Sequence, residues 1–263
     1  MFVAGLLLLG VHYLFDKKKQ LVFSLQDCIS FLFISFVHIL IPYSTEFFAL
    51  QNVASSCAAL VYNLSPFFTA LFSYLVFHEV MTPKKWLGFG LGLIGIMYFI
   101  RPEQLCYGGF DWSYSLLLIS VSSASLGWVT VRYFINRRGF SILFINGVAM
   151  LLAGIESFVL SWFLHEQVVL PWGHMQNFLT LLVLIILIAN VLFYNLYGYL
   201  LKRYTATLLS FIGFTTPLFT ALYDWLFLGY HVSSNFFISI AIVACGIYIF
   251  YQEELRQSYI GKD

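Results

Sequence analysis

The chain has 263 residues, of which 61% are hydrophobic and 10% are charged, and its mean hydropathy is +0.88. A soluble domain carries about 25% charged residues, so this composition excludes a water-soluble globular fold. The net charge of +1 gives no electrostatic basis for binding nucleic acid. The sequence therefore predicts an all-α membrane protein whose structural unit is a helix of about 20 apolar residues in the lipid bilayer.

Apolar segments follow one another along the chain, separated by short polar or charged breaks. A helix of roughly 20 residues crosses about 30 Å of hydrocarbon, so each segment is long enough or nearly long enough to span a membrane. The predicted spans are 1–15, 27–45, 53–77, 86–101, 112–134, 142–164, 177–200, 206–228 and 233–251. We therefore predict a multi-pass protein with nine transmembrane helices.

Lysine and arginine fall almost entirely on one side of this arrangement. When alternate loops are assigned to alternate sides, 12 of the 13 basic residues share one side and only Arg101 lies on the other. Because cytoplasmic loops attract basic residues, the shared side is predicted to be cytoplasmic. The C-terminal tail at 257–263 is then cytoplasmic and Met1 is external.

One motif occurs twice in the middle of predicted spans. PFFTAL begins at Pro66 and PLFTAL begins at Pro217, an offset of 151 residues. At this offset Lys84 and Lys85 fall at the uncharged turn around Ser234–Asn235, on Asn235 and Phe236, so a basic loop in one half matches a neutral loop in the other. This pattern predicts two repeats that lie upside down relative to each other, as in many secondary transporters.

The two predicted repeats differ in their number of helices. Residues 1–105 contain four predicted helices and residues 106–256 contain five. A tandem unit inverts only when it has an odd number of spans, so the first repeat is short by one helix. We therefore expect a ten-helix bundle of two inverted five-helix repeats, with the first helix missing and a start upstream of Met1 in the intact gene or its ancestor.

Several short motifs carry a resemblance to a known family. They are SPFFTAL from Ser65, HEVMT from His78, WLG from Trp86, TPLFTAL from Thr216, and the glycines Gly90, Gly92, Gly95 and Gly246. In this combination the chain resembles the EamA-type proteins of the drug/metabolite transporter superfamily. The resemblance implies ten helices in two inverted halves, movement of small metabolites, and a bacterial inner membrane. Two departures are the missing first helix and Tyr230, which stands in the second half where the first half has Glu79.

The repeated prolines are candidate hinges. A proline inside a helix removes a backbone hydrogen bond and permits a kink where a cavity or a neighbour satisfies the freed carbonyl. Pro66 and Pro217 thus mark equivalent places where two helices can bend near a central site. Static kinks that only shape the packing are the alternative.

Polar residues at membrane depth are costly and usually face the interior of a bundle. Asn190 and Tyr194 are four residues apart and Tyr197 follows three residues later, so this stripe is our best candidate for a cavity wall. Hydrogen bonding between helices is the alternative for these residues. Further polar candidates of the first half are His38, Tyr62, Asn63 and Ser65, and Trp128 could stack on a solute. For His38 and Trp128, packing against neighbours is the favoured explanation.

Three acids lie within or near the spans. Glu46 and Asp224 lie toward the external ends and Glu156 lies deeper. An acid in an aqueous cavity would favour a cationic or zwitterionic solute, or would carry a coupling proton. Solvated interfacial acids are the alternative for Glu46 and Asp224, and a structural pair is the alternative for Glu156.

The leading hypothesis is a secondary transporter that moves a small polar metabolite, amino-acid-like or nucleoside- or adenosylmethionine-like, by alternating access. A non-transporting membrane interaction protein or a truncated inactive paralogue is the alternative. The chain has no Gly-x-Ser-x-Gly or His-Glu-x-x-His motif, which disfavours an enzyme, and nothing in it indicates a metal or a cofactor. The expected partners are a small solute, lipids and, as the candidate coupling ion, protons; a homodimer stays open.

Overall fold

The computed structural model describes residues 1–15, 24–53, 55–100, 112–166, 172–228 and 234–259. All regular secondary structure in these ranges is helical. The helices are α1 (Phe2–Phe15), α2 (Leu25–Ala49), α3 (Ser55–Tyr62), α4 (Ser65–Phe77), α5 (Pro83–Ile100), α6 (Trp112–Arg138), α7 (Ile142–Phe163), α8 (Trp172–Leu200), α9 (Ala206–Ile212), α10 (Thr216–Leu228) and α11 (Ser234–Arg256). The predicted all-α class is confirmed for the described part of the chain.

Seven helical stretches in the described ranges are long and apolar enough to cross a membrane. They are Leu25–Ala49, Cys57–Phe77, Trp112–Arg138, Ile142–Phe163, Trp172–Leu200, Ala206–Phe227 and Asn235–Arg256. A shorter apolar helix covers Phe2–Leu14, and α5 lies where the sequence predicts a further span. The chain is thus a multi-pass membrane protein, and the count of nine helices stays a prediction.

Two of the long helices contain π-helical turns. In α2 the π segment is Ser35–Leu40, and in α8 it is Ile185–Phe193. Displaced by the 151-residue offset, the first segment falls on 186–191, inside the second. A π turn is rare and often marks a functional position in a helix. Both segments carry polar residues singled out from the sequence, namely His38 in α2 and Asn190 in α8.

The repeated prolines do not lie in the middle of a continuous α-helix. Asn63 and Leu64 form a turn between α3 and α4, and a 3₁₀ turn, Gly213–Thr215, separates α9 from α10. Pro66 and Pro217 therefore occupy the first turn of α4 and α10. A residue in the first turn has no intrahelical partner for its N–H group, so proline is tolerated there. The structure has helix interruptions where the sequence predicted kinks.

The chain divides into two compact units, and each takes helices from both sequence halves. Unit 1 comprises Met1–Tyr43 and Thr130–Lys202, and unit 2 comprises Ser44–Val129 and Arg203–Asp263. In unit 1, α1 packs along α7, and the π turn of α2 packs on α7 as well. The sequence boundary near residue 105 stays a prediction.

Unit 2 is built around the pair α5 and α11, with α4 packed against α9. A Cβ atom at Gly88 would lie 2.6 Å from the carbonyl oxygen of Gly246, so only glycines allow these two backbones to approach so closely. Next to this contact, Phe89, Phe211, Phe214 and Phe250 form the buried core of the unit.

Candidate functional site

A cavity of about 390 Å³ opens in unit 2 where both interrupted helices meet. This volume lies within the range of small-molecule sites, about 300–1,000 Å³. The lining residues are Glu46, Leu50, Ala58, Ala59, Tyr62, Asn63, Ser65, Ser210, Gly213, Phe214, Thr216 and Pro217. The turn between α3 and α4 supplies one wall and the turn between α9 and α10 supplies another.

The interruptions explain why polar groups reach this cavity. A helix that stops and restarts leaves backbone N–H groups at its new N-terminus without intrahelical partners. The 13-residue helices α4 and α10 both begin at the cavity, at Ser65 and Thr216. In the wall of α4, the Ser65 carbonyl accepts hydrogen bonds from the Thr69 hydroxyl at 2.7 Å and the Ser125 hydroxyl at 3.2 Å. Discontinuous helices of this kind place charge-complementary helix ends at transporter sites.

Glu46 is the single ionisable acid among the described lining residues, and none of these residues is basic. The Tyr62 hydroxyl donates to Glu46 Oε2 at 2.8 Å and lies 2.7 Å from the Ser120 hydroxyl. The Tyr62 hydroxyl has a single hydrogen, which it donates to the Glu46 carboxylate. In the hydrogen bond between Ser120 and Tyr62, Ser120 is therefore the donor. No lysine or arginine of the described chain forms an ion pair with Glu46. Its negative charge is therefore available to a cationic group in the cavity.

Asn63 supplies the second unusual group of this wall. Its side chain is 7% exposed, and its Nδ2 has no hydrogen-bond partner among the described residues. A buried donor left without an acceptor costs about 1–3 kcal/mol. Nδ2 itself is covered in the empty protein, so the amide must turn toward the cavity before an acceptor on a bound solute can remove this cost. The sequence analysis singled out Glu46 and Asn63 separately and had no means of seeing that they line the same cavity.

A second group of predicted residues lies in unit 1. The His38 and Tyr194 rings are 5.4 Å apart, and the Tyr194 hydroxyl donates to the Tyr43 hydroxyl at 3.5 Å. Asn146 Nδ2 donates to the backbone carbonyl of Tyr194 at 3.1 Å, which ties α7 to α8. Asn190 is 2% exposed, and its Oδ1 has no partner in the described part of the chain. Of the stripe predicted on α8, Tyr194 thus packs against His38, and Asn190 is buried on the same helix.

The deep acid Glu156 also belongs to unit 1. The Ser35 hydroxyl, on the π turn of α2, donates to Glu156 Oε1 at 2.6 Å. Within the described residues Oε2 has no hydrogen-bond partner. Glu156 is therefore a half-buried acid with one oxygen still able to accept a proton or a hydrogen bond.

The remaining predicted residues are separate from the unit 2 cavity. Tyr197 is half-buried in unit 1, with its ring 5.9 Å from that of Phe193. Trp128 is half-buried on α6 and is not among the lining residues. Asp224 belongs to α10, but its side chain lies outside the described part of the structure.

Some lining residues had no sequence signal of their own. Ser210 and Gly213 are ordinary in an apolar helix, and Thr216 was noted only as the first residue of the TPLFTAL motif. The 151-residue offset could have found part of the wall, because it relates Gly213 to Tyr62 and Thr216 to Ser65. The contact between Tyr62 and Ser120 joins helices 58 residues apart, and no periodicity reveals it.

A multi-pass helical protein with a solute-sized polar cavity at paired helix interruptions has the features of a membrane transporter. The sequence model of the EamA-like transporter family matches residues 1–101 and 111–252. The chain belongs to this family, which lies in the drug/metabolite transporter superfamily, as the motifs indicated.

Named relatives point to the same class. The S-adenosylmethionine/S-adenosylhomocysteine transporter of Chlamydia muridarum is 30% identical over 99% of this chain and 83% of its own length. Its namesake from Chlamydia trachomatis serovar L2 is 29% identical over 99% of this chain and 81% of its own length. One crystal structure superposes with a TM-score of 0.71 over 95% of this chain and 84% of the other, at 17% identity, a likeness that concerns the fold alone.

Proposed function

We propose that this chain is a secondary transporter that exchanges S-adenosylmethionine or a chemically similar solute across the membrane. The observation that carries the proposal is the unit 2 cavity, in which Glu46 and the unpartnered amide of Asn63 share one wall. The choice of solute comes from the names of the Chlamydia relatives, and the charged and polar groups of the cavity allow this choice to be tested chemically.

The solute and the cavity have complementary charges. S-adenosylmethionine carries a sulfonium, an ammonium and a carboxylate group, whereas S-adenosylhomocysteine lacks the sulfonium charge. Glu46 can attract the sulfonium through its charge and can accept a hydrogen bond from the ammonium, and hydrogen bonds to charged groups contribute about 1.5–3 kcal/mol. Asn63 can donate to the carboxylate or to a ring nitrogen. The positive ends of α4 and α10 also favour a carboxylate.

Alternating access between two inverted repeats is our proposed mechanism. Three pairs of features recur at the 151-residue offset: the helix interruptions, the π turns, and Tyr43 with Tyr194. Equivalent weak points in two halves allow one half to rock against the other around a solute. The nine-helix count belongs to this proposal.

Orientation and coupling complete the proposal. The distribution of basic residues supports a cytoplasmic C-terminus, and family membership supports a bacterial inner membrane. Protons are the proposed coupling ion. Glu156 is the first candidate to accept the proton, because its Oε2 has no hydrogen-bond partner among the described residues. Glu46 and Asp224 are the other candidate acids, and a homodimer is left to direct measurement.

The test is exchange in liposomes. Purified protein is reconstituted in vesicles loaded with unlabelled S-adenosylhomocysteine, and entry of radiolabelled S-adenosylmethionine is followed. Uptake above that of protein-free vesicles supports the proposal, and uptake equal to theirs refutes it. Solute binding without exchange would instead favour the non-transporting interaction protein.

The charge argument is tested by Glu46→Gln, with the exposed acid Glu166 as the site of a matched control, Glu166→Gln. We expect Glu46→Gln to weaken S-adenosylmethionine binding by about 10- to 100-fold, the equivalent of about 1.5–3 kcal/mol. Binding of S-adenosylhomocysteine should weaken less, and the control should bind both solutes normally. Equal losses for the two solutes would contradict the role of the sulfonium charge.

A further inference from the structure

An ion pair lies deep inside unit 2, and neither of its two residues lines the solute cavity. Lys85 Nζ donates to Glu254 Oε1 at 2.9 Å, and the two side chains are 2% and 0% exposed. The Thr205 hydroxyl donates to the other carboxylate oxygen at 2.6 Å. Burying two charges removes their hydration, so such a pair is poor evidence for stability and calls for another explanation. We name Lys85, Glu254 and Thr205 the buried triad.

The buried triad holds one end of the short helix whose other end lines the cavity. Thr205 is the N-cap of α9, and its oxygen accepts the backbone N–H of Leu208 at 3.1 Å. Ser210 follows Thr205 by five residues, about 7.5 Å along a helix axis, and lines the cavity. Glu254 therefore connects the start of α9 to α11 and, through Lys85, to α5.

Aromatic rings fill the space between the buried triad and the cavity. Lys85 Nζ lies 5.3 Å from the centroid of the Phe250 ring, which is 5.3 Å from that of Phe211. Phe211 is 5.1 Å from Phe214, and Phe214 lines the cavity. All three rings have 0% exposure. A continuous series of ring contacts, Phe250, Phe211 and Phe214, thus leads from the buried triad to the cavity wall, and we name these three rings the aromatic layer.

We infer that Lys85, Glu254 and Thr205 are positioning residues for transport: they hold α9 against α5 and α11, and so keep the aromatic layer closed. The inference rests on the proposed function, in which the cavity opens to each side in turn. When α9 moves away, Glu254 loses the Thr205 hydroxyl and water reaches the ion pair, which offsets the lost hydrogen bond. Lys202 and Arg203 precede α9, so the closed side is the one that the sequence predicts to be cytoplasmic.

The experiment measures access to the cavity from the predicted cytoplasmic side. Ser210→Cys is introduced after the native cysteines have been replaced by serine, and a membrane-impermeant maleimide is applied to that side of membrane vesicles. The test variant is Lys85→Met/Glu254→Gln, in which glutamine can still accept from Thr205 and methionine preserves apolar volume. The matched control is Lys84→Met, because Lys84 is the exposed neighbour of Lys85.

We expect the paired variant to be labelled faster by a factor within the 5- to 150-fold range typical of coupled sites. The Kd for radiolabelled S-adenosylmethionine should stay within about twofold, kcat for exchange should fall with little change in KM, and Lys85→Arg should retain wild-type labelling. Wild-type labelling and exchange in the paired variant would overturn the inference.

A second pair of variants guards against misfolding. Thr205→Val removes the hydroxyl that Thr205→Ser keeps, so faster labelling is expected in the first and not in the second. Equal labelling in both would also overturn the inference. Labelling needs no solute, so failure of the proposed function appears separately, as absent binding in the wild-type protein.

Discussion

Asn63 offers the sharpest test of the solute site, because one substitution should change stability and binding in opposite directions. Its Nδ2 is buried without an acceptor among the described residues, at a cost of about 1–3 kcal/mol in the empty protein. Asn63→Leu replaces the amide by an apolar side chain of similar shape, so the empty protein should become more stable. The same change removes a donor to the solute, and its Kd should rise by about 5- to 150-fold, the equivalent of about 1–3 kcal/mol.

Both quantities are measured on purified protein in detergent. Thermal unfolding without solute reports stability, and binding of radiolabelled S-adenosylmethionine reports Kd. Asn177→Leu is the control, since Asn177 is an exposed asparagine at the start of α8 and should affect neither quantity. A lower unfolding temperature for Asn63→Leu, or a Kd within twofold of wild type, would refute the reasoning that the amide is held for the solute.

Three further changes test the hinges, the coupling and the packing. Pro66→Ala and Pro217→Ala should slow exchange while leaving the yield of folded protein unchanged, because a first-turn residue has no helical hydrogen bond to gain; normal turnover in liposomes would assign these prolines to packing alone. Glu156→Gln should abolish uptake driven by a pH gradient and spare solute exchange, and joint loss of both would assign Glu156 to structure or to solute binding. Gly246→Ala should lower stability by about 1–3 kcal/mol in thermal unfolding, because its Cβ would lie 2.5 Å from the facing backbone, whereas Gly90→Ala, with nothing within 4 Å, should be tolerated; equal effects would contradict the close packing of α5 and α11.

The predictable part of this fold depends on signals that repeat along the chain. Hydropathy over about 20 residues identifies membrane spans, since the bilayer imposes one length on all of them. The described helices accordingly coincide with the predicted segments to within several residues. Pro66 and Pro217 were identified as irregular positions because proline disturbs the interior of a helix, although each lies in the first turn of a new helix and does not bend a continuous one.

The parts that sequence reasoning missed depend on contacts between distant segments. The Glu46 carboxylate accepts a hydrogen bond from Tyr62, which in turn contacts Ser120 on another helix. Lys85 forms its ion pair with Glu254, which lies 169 residues away in the sequence. Lys85 itself was assigned with Lys84 to a basic loop, whereas the structure places it in α5 with its side chain buried. The π turns were also missed, because a single additional residue in a helical turn leaves no compositional trace.

The offset between the halves separates positions that build the architecture from positions that perform chemistry. In the proposed alternating-access mechanism, duplicated features such as Pro66 with Pro217 recur because each half needs the same interruption to fold and to move. The chemical groups are not duplicated: at this offset Glu46 corresponds to Tyr197, Asn63 to Phe214, and Lys85 to Phe236. A solute with distinct ends needs distinct contacts, and a closure that acts on one side of the membrane needs its charges on one side. Repetition therefore identifies the scaffold, and the departures from repetition are the first places to look for the site.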